Sequence, residues 1–229
     1  MIFIRLSNWR ISQNEWKKQL QALCFLSFFE DITSLENWES ILEVFLKHVV
    51  SRYGREEVGH WKFELWFDAE RIKEDIRILN YAERFKIAKK IIHTYTDAQI
   101  GRMAGCTGIT KTIEKKSIYI RAFYKKLQSF EIIPDFLTLY AFAYDSYEQD
   151  RKYVSHPSSD VEFMSHVVDN MEQDWPELAE RLDVYFTEWN LTISDRNLIN
   201  DSCFKGAYIL KNYIDLIDRV EGMSYFVGK

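Results

Sequence analysis

Short runs of apolar, β-branched and aromatic residues recur along this chain. Between them lie longer stretches whose apolar residues return every three or four positions. That alternation limits the fold more than any other feature, because strands separated by helices are joined most simply as parallel βα units. Strands are expected over 1–6, 61–66, 99–104, 136–142, 183–189 and 223–227. A helix is expected over 15–29, and another carries Trp38, Ile41, Leu42, Phe45 and Val49, opened by Ser34 or Asn37 and stopped near Gly54. Further helices are expected around Phe85, Ala88 and Ile92, over 113–127, over 161–175 with Pro176 near its end, and over 203–217. The last of these places Ala207, Leu210, Tyr213, Ile214 and Ile217 on one face. Eight glycines and three prolines punctuate 229 residues, so long elements are expected rather than a succession of tight turns.

The expected fold class is α/β, of the (β/α)8 TIM-barrel type. Six strands are counted, whereas a closed barrel needs eight strands and typically about 250 residues. The shortfall, with the chain ending two residues after an apolar strand, favours an incomplete barrel. No linker or repeat divides the chain, so 1–229 is read as a single domain, the C-terminal part of a longer protein. An open parallel sheet leaves unpaired edge groups. The chain is therefore expected to dimerise, to be covered by its own N-terminal segment, or to be marginally stable.

Charge and composition exclude several classes. Thirty Lys and Arg against 35 Asp and Glu give a net charge of −5, which does not support a broad basic nucleic-acid face. No run of 18 apolar residues is present, so no membrane span is expected, and the start lacks a signal-peptide pattern. The three cysteines, Cys24, Cys106 and Cys203, are far apart and form no CxxC, which points to a reducing, cytoplasmic compartment. No HxH or HExxH spacing occurs, and Gly101, Gly105 and Gly108 do not form a phosphate-binding loop. No metal or cofactor is expected.

Two segments carry candidate chemistry. Phe63-Glu64-Leu65-Trp66-Phe67-Asp68 and Val184-Tyr185-Phe186-Thr187-Glu188-Trp189-Asn190 are both apolar strands that end in a carboxylate beside tryptophan. In a βα barrel the catalytic groups sit at the C-terminal ends of strands. Two carboxylates from distant strands suit glycoside hydrolysis, one as general acid and one as nucleophile, with tryptophan against the apolar face of a sugar. Strand-end acids also serve as N-caps of the following helix, so the pattern alone leaves both readings open.

Longer motifs bear on the choice. Arg52-Tyr53-Gly54, an acidic stretch, and then Trp61-Lys62-Phe63-Glu64-Leu65-Trp66 resemble glycoside hydrolase family 39, the β-xylosidase family. Thr187-Glu188-Trp189-Asn190 resembles the family's nucleophile motif. Residues 200–211 resemble the helix after it, and Met223-Ser224-Tyr225-Phe226 resembles its Ser-Tyr-Trp. The resemblance is read from about Phe3 to the end, with Phe3-Ile4-Arg5-Leu6 as the family's third strand and the last strand as its eighth. It implies Glu188 as nucleophile and Asp68 as acid/base. It further implies sugar contacts from Trp66, Phe67, Tyr140, Phe142, Trp189, Asn190 and Tyr225, with a pentose or xylo-oligosaccharide as the bound partner.

The departures from the family pattern fall at one cleft. The family's Asn-Glu-Pro is Phe67-Asp68-Ala69 here, and its Leu-His-Ala-Tyr is Leu139-Tyr140-Ala141-Phe142. Asp68 holds its carboxyl about 1.5 Å further back than a glutamate would, where retaining chemistry wants the two carboxyl groups about 5–5.5 Å apart and about 1 Å of misplacement costs on the order of 10²-fold. Phe67 cannot bond a sugar 2-hydroxyl, and an imidazole is lost at Tyr140. These changes resemble the degenerate domains of this family appended to AraC-type transcriptional regulators. The function expected is therefore a non-catalytic, sugar-sensing or regulatory domain, touching DNA only through a region outside this chain. The alternative is a retaining β-xylosidase.

Overall fold

The computed structural model describes residues 2–8, 20–26, 35–65, 75–107, 125, 129, 133–143, 161–192 and 198–225. The helix expected over 113–127, Lys125 apart, lies outside them, as do Trp66, Phe67 and Asp68. The chain divides into two compact units. The first comprises residues 1–103 and 119–136, the second residues 104–118 and 137–229.

In the first unit, β1 (Ile2–Asn8) pairs antiparallel with β2 (Leu20–Leu26), with Ile2 opposite Leu26 and Asn8 opposite Leu20. Strand β2 then pairs in parallel with β3 (Lys62–Leu65), and β3 with β4 (Gln99–Thr107). Two expectations are corrected here. Residues 20–26 are a strand and not part of a helix, because Leu-Gln-Ala-Leu-Cys-Phe-Leu is a short, nearly continuous apolar run, and periodicity cannot separate a buried strand from a buried helix in such a run. The first strand is antiparallel, so it does not begin the parallel set. It pairs along the β2 edge instead and becomes the outermost strand of the order.

The helices of this unit follow from their spacing. Helix α1 (Leu35–Tyr53) buries Trp38, Leu42, Leu46 and Val49, a stripe at intervals of four, four and three. Each such side chain contributes about 1.5–3 kcal/mol on burial. Glu36 in its first turn and Arg52 in its last complement the helix dipole. Gly54, at φ 90°, ends the helix in a conformation that costs other residues strain. A short α2 (Arg55–Gly59) leads to Trp61, whose ring lies 5.3 Å from that of Tyr53 and 6.3 Å from that of Phe63. Helix α3 (Asp75–Tyr95) buries Tyr81, Ala82, Phe85, Ala88, Ile91 and Ile92. It packs on α1, with the Arg84 guanidinium 5.7 Å from the Trp38 ring centre and Tyr95 Oη donating to Glu43 Oε1 at 2.6 Å. Asp135 fastens the end of the unit. Its carboxylate accepts from the Ile100 amide at 2.9 Å and pairs with Lys89 at 2.7 Å.

In the second unit, β5 (Phe136–Phe142, its first residue belonging to the first unit), β6 (Val184–Asn190) and β7 (Gly222–Tyr225) pair in parallel in chain order. All seven positions of β5 are buried, as a parallel strand covered on both faces requires. Helix α4 (Phe163–Asp174) buries Phe163, Met164, Val167, Val168 and Met171, and the short α5 (Pro176–Ala179) starts on its proline. Helix α6 (Cys203–Leu216) buries Tyr208, Asn212 and Leu216. The apolar face expected from its periodicity is present but turned outward. Leu210 is 62% exposed, Ile214 63% and Ile217 74%. Among the described residues, no helix is long and apolar enough to cross a membrane.

Gly101 has a packing reason to be glycine. A Cβ at this position of β4 would run into the ring of Phe136. Gly101→Ala is therefore expected to destabilise the fold by about 1–3 kcal/mol, read as a lower urea midpoint. Combining it with Phe136→Leu should recover part of that loss. A strictly additive pair would show that the clash is not the cause.

Candidate functional site

Strand β6 carries an irregularity just before its carboxylate. On one side Leu139 pairs with Phe186 and Tyr140 with Glu188, leaving Thr187 unmatched. On the other side Phe186 pairs with Met223 and Trp189 with Tyr225, so two β6 positions face Ser224. The extra residue is a bulge, which breaks strict alternation and re-aims the side chains beyond it. Glu188 follows directly, and it is the one partly exposed residue in a strand otherwise buried along its length. The sequence carries no visible signal for this bulge. It emerges only from how the neighbouring strands register.

The residues around Glu188 brace one another. The Trp189 ring is fully buried, with Tyr213 of α6 at 5.4 Å and 77° and Tyr225 of β7 at 5.2 Å and 87°, both edge to face. Asn190 Oδ1 accepts from the Leu191 amide at 2.7 Å and from Tyr225 Oη at 2.8 Å. Tyr140 and Phe142 stand on β5 opposite Glu188 and Asn190, their ring centres 6.4 Å apart. Tyr140, Phe142, Glu188, Trp189, Asn190 and Tyr225 all lie at the C-terminal ends of three adjacent parallel strands, but Trp189, expected against a sugar, is instead enclosed by protein and offers no face to a ligand.

Other residues at this end went unpredicted. Asn200 Oδ1 accepts from Thr192 Oγ1 and from Lys205 Nζ, each at 3.1 Å, and the Lys205 ammonium lies 5.6 Å from the Tyr225 ring centre. Asn190-Leu191-Thr192 and Asn200-Asp201-Ser202 look like chance glycosylation triplets in the sequence. In the fold, Thr192 and Asn200 lock the β6 end to the start of α6.

The first unit holds a buried charged cluster just before the Trp66–Asp68 segment. Glu64 on β3 and Arg102 on β4 are 1% and 0% exposed. Their strands are adjacent, with Glu64 opposite Gly101 and Leu65 opposite Arg102. Tyr81, buried on α3, donates its hydroxyl to the Leu65 carbonyl, the last backbone acceptor of β3. Burial pushes the Tyr81 phenol well above its ordinary value; the negative Glu64 adds to this and Arg102 opposes it. The sequence signal for Arg102 is a single charge inside an otherwise uncharged strand.

The profile of glycosyl hydrolases family 39 matches residues 19–227. The chain belongs to this family. A β-xylosidase of Caldicellulosiruptor saccharolyticus is 28% identical over 197 residues, which cover 81% of this chain and 36% of that protein. A β-xylosidase of Geobacillus stearothermophilus is 22% identical over 200 residues, 82% of this chain and 38% of that protein. Among solved structures, a monomeric β-xylosidase from Caulobacter crescentus superposes with a TM-score of 0.69 at 22% identity, covering 85% of this chain and 39% of that one. The family 39 enzyme from Xanthomonas axonopodis pv. citri gives 0.67 at 21% identity, covering 84% of this chain and 38% of that one. The chain therefore spans less than two fifths of the length of these relatives. Their fold is the (β/α)8 barrel that the alternation predicts, and the parallel strands described here are consistent with an incomplete one.

The match also corrects the expected extent of the resemblance. It begins at residue 19 and not near Phe3. Since β1 runs antiparallel, Leu20–Leu26, and not Phe3–Leu6, opens the parallel series.

The Tyr81 phenol makes a testable link between burial and stability. Its proton is retained in the folded chain at pH values where the unfolded chain, with a tyrosine value of about 10, has begun to lose it. The stability it contributes is complete below about pH 10 and is lost as pH rises from there toward the folded value. Unfolding free energy measured between pH 9 and 11 should fall less steeply in Tyr81→Phe. An unchanged slope would mean that the hydroxyl is not shielded.

Proposed function

We propose that this chain is a sugar-binding, regulatory domain of family 39, which recognises a pentose or xylo-oligosaccharide at the β5–β6–β7 end and does not hydrolyse it. The observation that carries this reading is the contrast between the two carboxylate positions. Glu188 is partly exposed, follows a bulge, and is followed by the braced residues Trp189 and Asn190. The acid position reads Phe67-Asp68, a shortened carboxylate preceded by a ring that cannot bond a hydroxyl. A carboxylate acceptor beside the Tyr140 side chain can hold sugar hydroxyls without a proton donor across the bond. The relatives are β-xylosidases, which supports a xylo-sugar as the ligand class. In this reading the domain belongs to a longer, cytoplasmic AraC-type transcriptional regulator, and any contact with DNA is made by a region outside this chain.

The second reading is a retaining β-xylosidase, with Glu188 as nucleophile and Asp68 as acid/base. It is favoured by Thr187-Glu188-Trp189-Asn190, which follows the nucleophile pattern in full, and by the partial exposure of Glu188.

Turnover of an aryl β-xyloside, beside the Glu188→Gln variant, separates the two. An aryl leaving group needs little protonation, so a displaced acid would not conceal a working nucleophile. The expected outcome is no turnover above background in folded protein, with xylobiose binding by calorimetry that weakens in Glu188→Gln. Turnover that disappears in the variant would make the chain an enzyme and overturn the non-catalytic reading.

A further inference from the structure

Two arms of contact at the end of β6 meet at a single ammonium group. Lys205, in the first turn of α6, lies over the Tyr225 ring, 5.6 Å from its centre, and donates to Asn200 Oδ1 at 3.1 Å. On one arm, Tyr225 donates its hydroxyl to Asn190 Oδ1 at 2.8 Å. On the other, Asn200 Oδ1 accepts from Thr192 Oγ1 at 3.1 Å. Asn190 and Thr192 are buried, whereas Tyr225 and Lys205 are partly exposed. Asn190 ends β6 two residues beyond Glu188, where strand alternation returns side chains to the same face.

We propose that Lys205 is a positioning residue: its charge holds the Tyr225 ring, and the Tyr225 hydroxyl in turn fixes the Asn190 amide beside a ligand at Glu188. An amide oxygen has two accepting positions. On Asn190 they take the Leu191 amide at 2.7 Å and the Tyr225 hydroxyl. Leu191 is the next residue of the chain and moves with Asn190, so the outside reference for the amide is Tyr225. The Tyr225 ring meets Trp189, at 5.2 Å and 87°, and Lys205. Trp189 belongs to β6 itself. Lys205 ties the ring to α6 instead, and Asn200 keeps its long side chain in place. A cation is drawn to the electron-rich face of a phenol ring. An uncharged chain of equal length would neither be drawn there nor donate to Asn200. The consequence for binding rests on the sugar-binding reading above: an amide that is no longer preorganised has to be ordered by the ligand, which weakens binding. The consequence for Asn190 in the free chain does not depend on that reading.

The side-chain amide signal of Asn190 in the nuclear magnetic resonance spectrum of the isotope-labelled full chain tests the positioning without any ligand. It is identified by its absence in Asn190→Asp. The expected result is a signal displaced or broadened in Lys205→Met, restored in Lys205→Arg, and unmoved in Gly101→Ala, which lowers stability from within the first unit. Xylobiose affinity by calorimetry should fall about three- to tenfold in Lys205→Met and recover in Lys205→Arg. An Asn190 signal that does not respond to Lys205→Met overturns the proposal. So does a signal that Lys205→Arg moves as far as Lys205→Met, because charge would then not be the property at work. Unchanged affinity in Lys205→Met, where the wild type binds xylobiose, overturns it as well. If the wild type binds no xylobiose, the sugar-binding reading fails, and the Asn190 signal decides the positioning alone.

Discussion

Parallel pairing is the constraint on which the rest of this structure depends. A parallel strand needs a crossover to reach its neighbour, and the crossover helices cover the faces of the sheet. Strand β5 is consequently buried along its whole length and apolar but for Thr138, and the helices α1 and α4 carry apolar stripes at intervals of three and four. Under that constraint a polar side chain inside a strand is an exception with a local reason. Glu64 and Arg102 are exceptions of one kind, buried charges of opposite sign on neighbouring strands. Glu188 is an exception of another kind, opened by a bulge at the strand end.

Glu188 stands in a firmly braced setting. Around Glu188, packing and hydrogen bonding converge: Trp189 holds β6 to α6 and β7, Tyr225 holds Asn190, and Asn200 collects Thr192 and Lys205. Such bracing limits where Glu188 can point, which serves ligand binding as well as nucleophilic attack, because both need a carboxylate at a fixed place. Hydrolysis needs more, namely a proton donor at a set distance across the glycosidic bond. In the non-catalytic reading proposed above, it is this second requirement that Phe67 and Asp68 leave unmet.

Much of the fold was legible in the sequence, and the failures have physical causes. The α3 stripe, the β5 and β6 runs and the stop at Gly54 were readable from spacing and composition, as were Trp38, Leu42 and Val49 of α1; Ile41, expected on that face, is 48% exposed, and Leu46 takes its place in the buried stripe. Residues 20–26 were misread because a seven-residue apolar run carries no period that distinguishes a strand from a helix. The α6 face was correctly grouped, but periodicity reports only that apolar residues share a face. It cannot say whether that face meets the sheet, and here the buried side is Tyr208, Asn212 and Leu216. Of the candidate site, the residue types and their order were visible. The bulge at Thr187, the roles of Asn200 and Lys205, and the Tyr81 contact beneath β3 were not, since each depends on residues brought together from separate elements.

By itself the sequence determined the α/β class, the alternating order of most elements, and membership of the family through ordered motifs. These are properties of local pattern, written in neighbouring residues. Only the tertiary structure decided that β1 turns back to pair along the β2 edge and that a bulge opens the strand at Glu188. It likewise decided that Trp189 is enclosed by two tyrosines and that the apolar face of α6 turns outward. Those features arise from pairing between segments distant in the chain, where register and packing choose among arrangements that local pattern leaves equal.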